Sequence, residues 1–374
     1  NEMNVAFTGL DDQAKVLRAE IDRRIARVLD HGRFIMGPEV AEFESALASF
    51  CGASNAIGVA NGTDALQIAL MAGGIKSGDA VFLPAFTYTA TAEVIMILGA
   101  IPFFVDVDAS TFNMDCGHLE TQIKRAQELD IRPAAVIGVD LFGLPADWDS
   151  LNSICRVHGL FLIADSAQSF GAQYHGRKVG TLADVTTTSF FPAKPLGCYG
   201  DGGALFTENA KLASEMRSIR VHGQGREKYE TVRVGMNSRL DTLQAAILLA
   251  KIGVFGEELD RRDALAQHYA GRLGGAIDLP EVPAGLKSAW AQYTIKSGNR
   301  DALQASLSGK GIPTAVYYPK PLHLQTAYAQ HGATSGHLPV SESLCATVLS
   351  LPMNPYWTRE SADAVCDAVL ASLN

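Results

Sequence analysis

The chain has little charge, no block of one sign and no long apolar run. Charged residues make up 19% of its 374 residues, and the formal net charge is −9. No cluster of lysine and arginine offers the stripe that nucleic acid phosphates demand, so nucleic acid is not an expected partner. A small anionic ligand stays compatible, because local charge can oppose the net charge. The apolar stretches are far shorter than the roughly 20 residues that span a bilayer, so no membrane association is expected. No basic region leads into an apolar stretch at Asn1-Glu-Met-Asn-Val5, which argues against a leader peptide, and the two residues before Met3 read as an expression remnant. The only cysteines are Cys51, Cys116, Cys155, Cys198, Cys345 and Cys366, with no C-x-x-C pair among them. That spacing argues against a disulfide framework and a zinc site and points to reduced core thiols in a cytoplasmic protein, with no metal expected. Internal repeats, low-complexity segments and disordered linkers are missing too, so the parts of the chain are expected to be rigidly joined.

What is present is core. Hydrophobic residues make up 47% of the sequence, and the length suits one large α/β domain plus a smaller one. Residues 11–31 read as a helix with Leu17, Ile21, Ile25 and Val28 on one stripe, closed by Gly32. A second helix is expected at about 39–50. From 55 to 208 short apolar runs alternate with helical segments. The strands predicted are Ala56–Val59, Ala80–Leu83, Ile101–Val105, Ala134–Val139, Leu160–Ala164, Val185–Phe190 and Gly203–Thr207. The helices predicted are Thr63–Ala72, Thr89–Leu98, Cys116–Leu129 and Asp147–His158. Buried strands separated by helices mean a mostly parallel sheet covered on both faces, with ligands beyond the carboxyl ends of the strands. A long helix is expected over 236–268. Beyond it lies a smaller mixed unit, with strands at Ala291–Ile295 and Thr314–Tyr318 and helices at 300–310, 341–348 and 360–372. The expected division is a large domain over 1–255 and a small C-terminal α/β domain over 256–374.

Two residues stand out against this frame. Asp165 ends the run Gly159-Leu-Phe-Leu-Ile-Ala-Asp165, and Lys194 lies in Ser189-Phe-Phe-Pro-Ala-Lys-Pro-Leu-Gly197, just past a later strand. Alone each is bland, since most lysines are solvated and strand-end aspartates often cap the next helix. Together they are what pyridoxal phosphate (PLP) chemistry needs: an amine for the Schiff base and a carboxylate that keeps the pyridine nitrogen protonated.

Other segments can serve the same ligand. Asn61-Gly-Thr-Asp-Ala-Leu66 opens a helix directly after a strand, where Gly62 permits close approach and the helix N-terminus with Thr63 attracts an anion. Asp64 is grouped with them. Ser189 offers a second hydroxyl to the same phosphate. In Pro84-Ala-Phe-Thr-Tyr-Thr-Ala-Thr91, Tyr88 is the aromatic nominated to lie on a pyridine face, although a core aromatic would look the same. In Asp165-Ser-Ala-Gln168, Ala167 leaves room for a flat ring and Gln168 can bond its hydroxyl. Gly235-Met-Asn-Ser-Arg-Leu-Asp241 places Asn237 and Arg239 at an expected helix start, able to cap it or to reach an anion in a neighbouring subunit.

Taken in order, Gly37-Pro-Glu-Val40, Asn61–Leu66, Pro84–Thr91, Asp165-Ser-Ala-Gln-Ser-Phe-Gly-Ala172, Tyr199-Gly-Asp-Gly-Gly203 and Asn237–Asp241 resemble the DegT/StrS-type nucleotide-sugar aminotransferases, PLP enzymes of fold type I. The likeness runs through nearly the whole chain. The family usually has Glu before the aspartate, where this chain has Ala164. Within the family the chain resembles the UDP-2-acetamido-2-deoxy-3-oxo-glucuronate 3-aminotransferases of lipopolysaccharide biosynthesis. Ser189–Gly203, Val234–Leu248, Ala291-Gln-Tyr-Thr294 and Pro313-Thr-Ala-Val-Tyr-Tyr-Pro319 carry that closer likeness.

The resemblance implies a homodimer with shared active sites. It makes Lys194 the Schiff-base lysine, Asp165 the pyridinium partner, Gln168 the contact to the ring hydroxyl and Tyr88 the stacking ring. Gly62, Thr63, Ser189 and the second subunit's copy of Asn237 would hold the phosphate. Arg239, Tyr317 and Tyr318 would meet the sugar, with Tyr317 standing where relatives carry histidine. The implied reaction passes an amino group from L-glutamate to a UDP-linked 3-keto sugar. Its rivals are a 4-keto nucleotide hexose as acceptor, a sugar dehydration, and a non-catalytic sugar-binding regulator. Dehydrating members replace the lysine, which is retained here.

Overall fold

The computed structural model describes residues 5–373, with only the backbone of 333–335. Seven strands make the main sheet: β1 Asn55–Val59, β2 Ala80–Pro84, β3 Ile101–Val105, β4 Pro133–Val139, β5 Phe161–Asp165, β6 Val185–Ser189 and β7 Gly203–Thr207. Their order is β1-β7-β6-β5-β4-β2-β3. β7 alone runs against its neighbours, and the pairs β2–β3, β2–β4, β4–β5 and β5–β6 are parallel. Two helical layers explain the near-continuous apolar strands. Phe82 and Phe103 face a core with Phe43, Leu119 and Leu151. Val81, Leu83 and Phe104 face the opposite core with Leu66, Val94 and Met216. Neighbouring side chains on one strand thus feed different layers, as the period of two requires.

The covering helices are α1 Leu10–His31, α2 Pro38–Cys51, α3 Gly62–Ala72, α4 Ala90–Ile97, α5 Cys116–Glu128, α6 Trp148–His158 and α7 Ala210–Ile219. The 32-residue α8, Thr242–Leu273, packs at its start on α1 and α2 and at its end on the C-terminal helix. Beyond it come α9 Arg300–Gly309, α10 Ala329–Ser335, α11 Pro339–Thr347 and α12 Arg359–Ser372, with an antiparallel pair, β8 Tyr293–Lys296 and β9 Val348–Leu351. Their core joins Tyr269, Tyr293, Leu303, Leu307, Val365 and Val369. The architecture is the expected α/β fold type I arrangement, a large mostly parallel sheet with a smaller C-terminal unit.

Two expectations need correction. The long helix does not start at 236. Residues 236–241 are not helical because the backbone here is taken elsewhere: Met236 N donates to Ile219 O, Ser238 N to Arg220 O and, at the first residue of α8, Thr242 N to Phe34 O. Asn237 and Arg239 therefore precede α8 rather than opening it. Nor is Thr314–Tyr318 a strand. Ala315 alone pairs with Ser350, and Pro313 and Pro319 bracket the segment without donors to extend a ladder. The chain then turns so that Tyr317 and Tyr318 face a cavity.

Candidate active site

The turns after β1, β2, β4, β5 and β6 meet at one edge of the sheet around a cavity of about 500 Å³. Asp165, the last residue of β5, is 7% exposed at its base. Thr91 Oγ1 donates to its Oδ2 at 2.9 Å, and Ala167 N to its Oδ1 at 3.4 Å. Burial raises the pKa of the carboxyl, while the Thr91 and Ala167 donors and the charge of Lys194 pull it down. Behind it, fully buried Asp140 fixes the β4 and β5 ends. It accepts from Ala146 N, Trp148 Nε1, Ser166 Oγ and Ser169 Oγ, and its own N–H donates to Asp165 O.

Lys194 sits in the turn after β6, closed by its own N–H to Phe191 O at 2.9 Å. Gly197 completes the turn because a Cβ there would lie 2.4 Å from Pro192 O. The Lys194 amine lines the cavity and makes no hydrogen bond or ion pair among the described residues. Burial lowers its pKa, opposed by the charge of Asp165, so more of it is the neutral nucleophile at a given pH. The two groups feel each other's charge without touching, which leaves a gap between them. Thiol chemistry has no comparable candidate nearby. Cys198, four residues on, donates to Phe190 O and Gly200 O, and burial pushes its thiol up to about 11.

The opposite end of the cavity is built for an anion. Asn61 caps α3 through Oδ1, which accepts from Asp64 N at 2.7 Å. The amides of Gly62 and Thr63 are left without partners among the described residues, at the positive end of the α3 dipole. Ser189 lies against them. A Cβ on Gly62 would come within 2.8 Å of Ser189 Cβ, and one on Gly203 within 2.5 Å of Asn61 C. Glycine at both positions lets α3 and the ends of β6 and β7 close around the ligand. Gly62→Ala is expected to weaken PLP binding roughly tenfold through this overpacking, read by titrating the apoprotein with PLP. Unchanged affinity would mean that the phosphate lies elsewhere.

The fold brings Gly62, Thr63, Tyr88, Asp165, Ala167, Gln168, Ser189, Lys194, Tyr317 and Tyr318 to this one cavity. Tyr88 is 59% exposed, so a ring face is open, and its centroid is 6.3 Å from that of Tyr318. Gln168 Oε1 accepts from Phe142 N at 2.6 Å, and its Nε2 donates to Tyr318 Oη at 3.4 Å. Asp64, Asn237 and Arg239 do not line the cavity, and the Asp64 amide is spent on the cap. Thr91 and Gln292 went unnoticed in the sequence. Thr91 ends a motif already singled out and stands one helical turn after Tyr88, a spacing that could have found it. Gln292 lies within Ala291-Gln-Tyr-Thr294, a segment also singled out, but nothing in that segment marks its amide as facing a ligand.

A free amine, a buried carboxylate across a gap, an open aromatic face and an unpaired α3 N-terminus fit pyridoxal phosphate at its aldehyde, ring nitrogen, ring face and phosphate respectively. A model of the DegT/DnrJ/EryC1/StrS aminotransferase family matches residues 15–370. The UDP-2-acetamido-2-deoxy-3-oxo-D-glucuronate aminotransferase of Pseudomonas aeruginosa is 48% identical over 98% of this chain and 99% of its own. A crystal structure of a DegT DnrJ EryC1 StrS aminotransferase from Brucella abortus matches with a TM-score of 0.96 and 48% identity, over 98% of both chains. That of ntda from Bacillus subtilis with bound cofactor PMP has a TM-score of 0.91 at 29% identity, over 100% of this chain and 86% of that one. The chain belongs to the DegT/DnrJ/EryC1/StrS aminotransferase family.

Proposed function

We propose that this PLP-dependent aminotransferase, acting in the cytoplasm, moves the amino group of L-glutamate to a UDP-linked 3-keto sugar, UDP-2-acetamido-2-deoxy-3-oxo-glucuronate, for a bacterial surface polysaccharide. The observation that carries the chemistry is the unpartnered Lys194 amine facing buried Asp165. The substrate rests on the 48% identical relative from Pseudomonas aeruginosa. No observation favours a 4-keto hexose, and a sugar-binding regulator has no use for a desolvated free amine.

Bound PLP supplies an electron sink and carries the amino group between donor and acceptor. Lys194 Nζ takes the proton from the α-carbon of glutamate and delivers one to C3 of the sugar. Asp165 keeps the ring nitrogen protonated by an ion pair strengthened in a partly dry site. Thr91 and Ala167 fix that carboxylate, Gln168 holds the ring hydroxyl and Tyr88 covers the ring. The α3 N-terminus with Thr63 and Ser189 anchors the phosphate, and Tyr317 and Tyr318 border the sugar. L-Glutamate added to the PLP-loaded protein should shift the cofactor's absorbance and release 2-oxoglutarate. Added keto sugar should reverse the shift. A protein inert to glutamate would refute the reading.

Asn237 is exposed and Arg239 half-buried, both away from the cavity of their own chain. We assign them to the partner's site in a homodimer, Asn237 at the phosphate and Arg239 at the sugar carboxylate. Exposed Phe34, Ile35, Met36 and Tyr199 supply apolar surface for the contact. Light scattering should give a dimer, and a fully active monomer would contradict the assignment.

A further inference from the structure

We propose that Gln292 reads the sugar acceptor, pairing its side-chain amide with a hydroxyl or amide N–H of the sugar and discriminating it from the amino donor. The inference rests on the substrate class given above. Gln292 lines the cavity together with Tyr317 and Tyr318. Its Oε1 is buried with no hydrogen-bond partner, and its side chain makes no hydrogen bond among the described residues. A buried carbonyl left unpaired is costly, and such groups are rare unless something else satisfies them.

The backbone beneath it is held firmly. Gln292 N donates to Phe142 O at 3.2 Å, and Ala289 N to Gly143 O at 2.9 Å. Phe142 and Trp290 both adopt left-handed φ, 61° and 49°. A Cβ on Gly143 would lie 2.6 Å from Trp290 N, so the two segments interlock. Phe142 N is also the donor to Gln168, which places Gln292 beside the ring-hydroxyl side of the cavity. The main chain is thus fixed, and a turn about the soft terminal torsion would bring the buried Oε1 to a ligand in the cavity. Glutamate's carboxylates are acceptors only and could meet the Nε2 of Gln292 but not its Oε1, whereas a 2-acetamido sugar brings hydroxyl and N–H donors to that unpaired oxygen.

The test compares the two half-reactions of PLP-loaded wild type, Gln292→Met and Gln292→Glu, each followed by cofactor absorbance. One probe is L-glutamate and the other is the UDP-linked 2-acetamido-3-amino uronate, the reaction product run in reverse. Binding of the amino sugar is also measured directly by calorimetry. The Met variant, similar in shape but without polar atoms, should raise the sugar's half-saturation and Kd about tenfold and glutamate's less than about twofold. The Glu variant, which keeps an acceptor, should lie nearer wild type than Met does. Sugar affinity unchanged in the Met variant, or both probes weakened alike, would overturn the role of Gln292. A wild type that reacts with glutamate but ignores the amino sugar would instead overturn the substrate reading, and this inference with it.

Discussion

Lys194→Ala should lose turnover by roughly four orders of magnitude or more, with the fold intact. Two functions vanish together: covalent attachment of the cofactor and proton transfer, which alone contributes about 10²–10⁴-fold. No other amine lines the cavity among the described residues, so none of them takes over. The fold should survive because the Lys194 amine has no partner whose loss would strand a buried group, and the turn around it is held by backbone bonds and Gly197. Far-ultraviolet circular dichroism should match wild type. PLP should still bind through the α3 N-terminus, Ser189 and Asp165, but without its covalent absorbance band. Turnover within tenfold of wild type would remove Lys194 from the mechanism.

Asp165→Asn should bind PLP and lose about 10²–10³-fold in rate. The asparagine has the same shape, and its oxygen can still accept from Thr91. It cannot hold the ring nitrogen positive, so the electron sink weakens while the phosphate cradle and Lys194 stay in place. The direction of the Asp165 shift explains why the charge needs its partner. Burial raises the carboxyl's pKa, and a cation beside it brings the pKa back down. The measurement is the glutamate half-reaction in a single turnover. A near-normal rate would mean that another group keeps the nitrogen protonated.

Most of the site was legible in the sequence because it lies on the ends of strongly patterned strands. The run ending at Asp165 and the turn Ser189–Gly197 show themselves through apolar content and glycine, and all seven strands of the sheet fall where periodicity puts them, within one residue at every end. Side chains beyond those ends were harder. Tyr317 and Tyr318 look like strand residues in a run of Thr, Ala, Val and Tyr, yet the flanking prolines and a single bridge at Ala315 leave them in a loop. The start of α8 was misplaced for a related reason. Residues 236–241 have helical spacing, but distant carbonyls of Ile219 and Arg220 capture their amides. Local pattern cannot register a partner so far along the chain. The helix α7 has a readable stripe, Ala213, Met216 and Ile219, behind the Asn209 cap, and no element was assigned there. Gln292 lay hidden most deeply, since an unpaired amide is visible only once its surroundings are known.

The account turns on which amine carries the cofactor. Among the described residues, burial lowers the pKa of two lysines. Lys194 opens to the cavity, while Lys251 lies on α8 beneath Tyr199, where burial lowers it to about 8 and its Nζ sits 4.3 Å from the ring centroid. Borohydride reduction of the PLP-loaded protein, followed by peptide mapping, should place the cofactor's mass on Lys194 and leave Lys251 unlabelled. Label on Lys251, or on no lysine at all, would contradict the account.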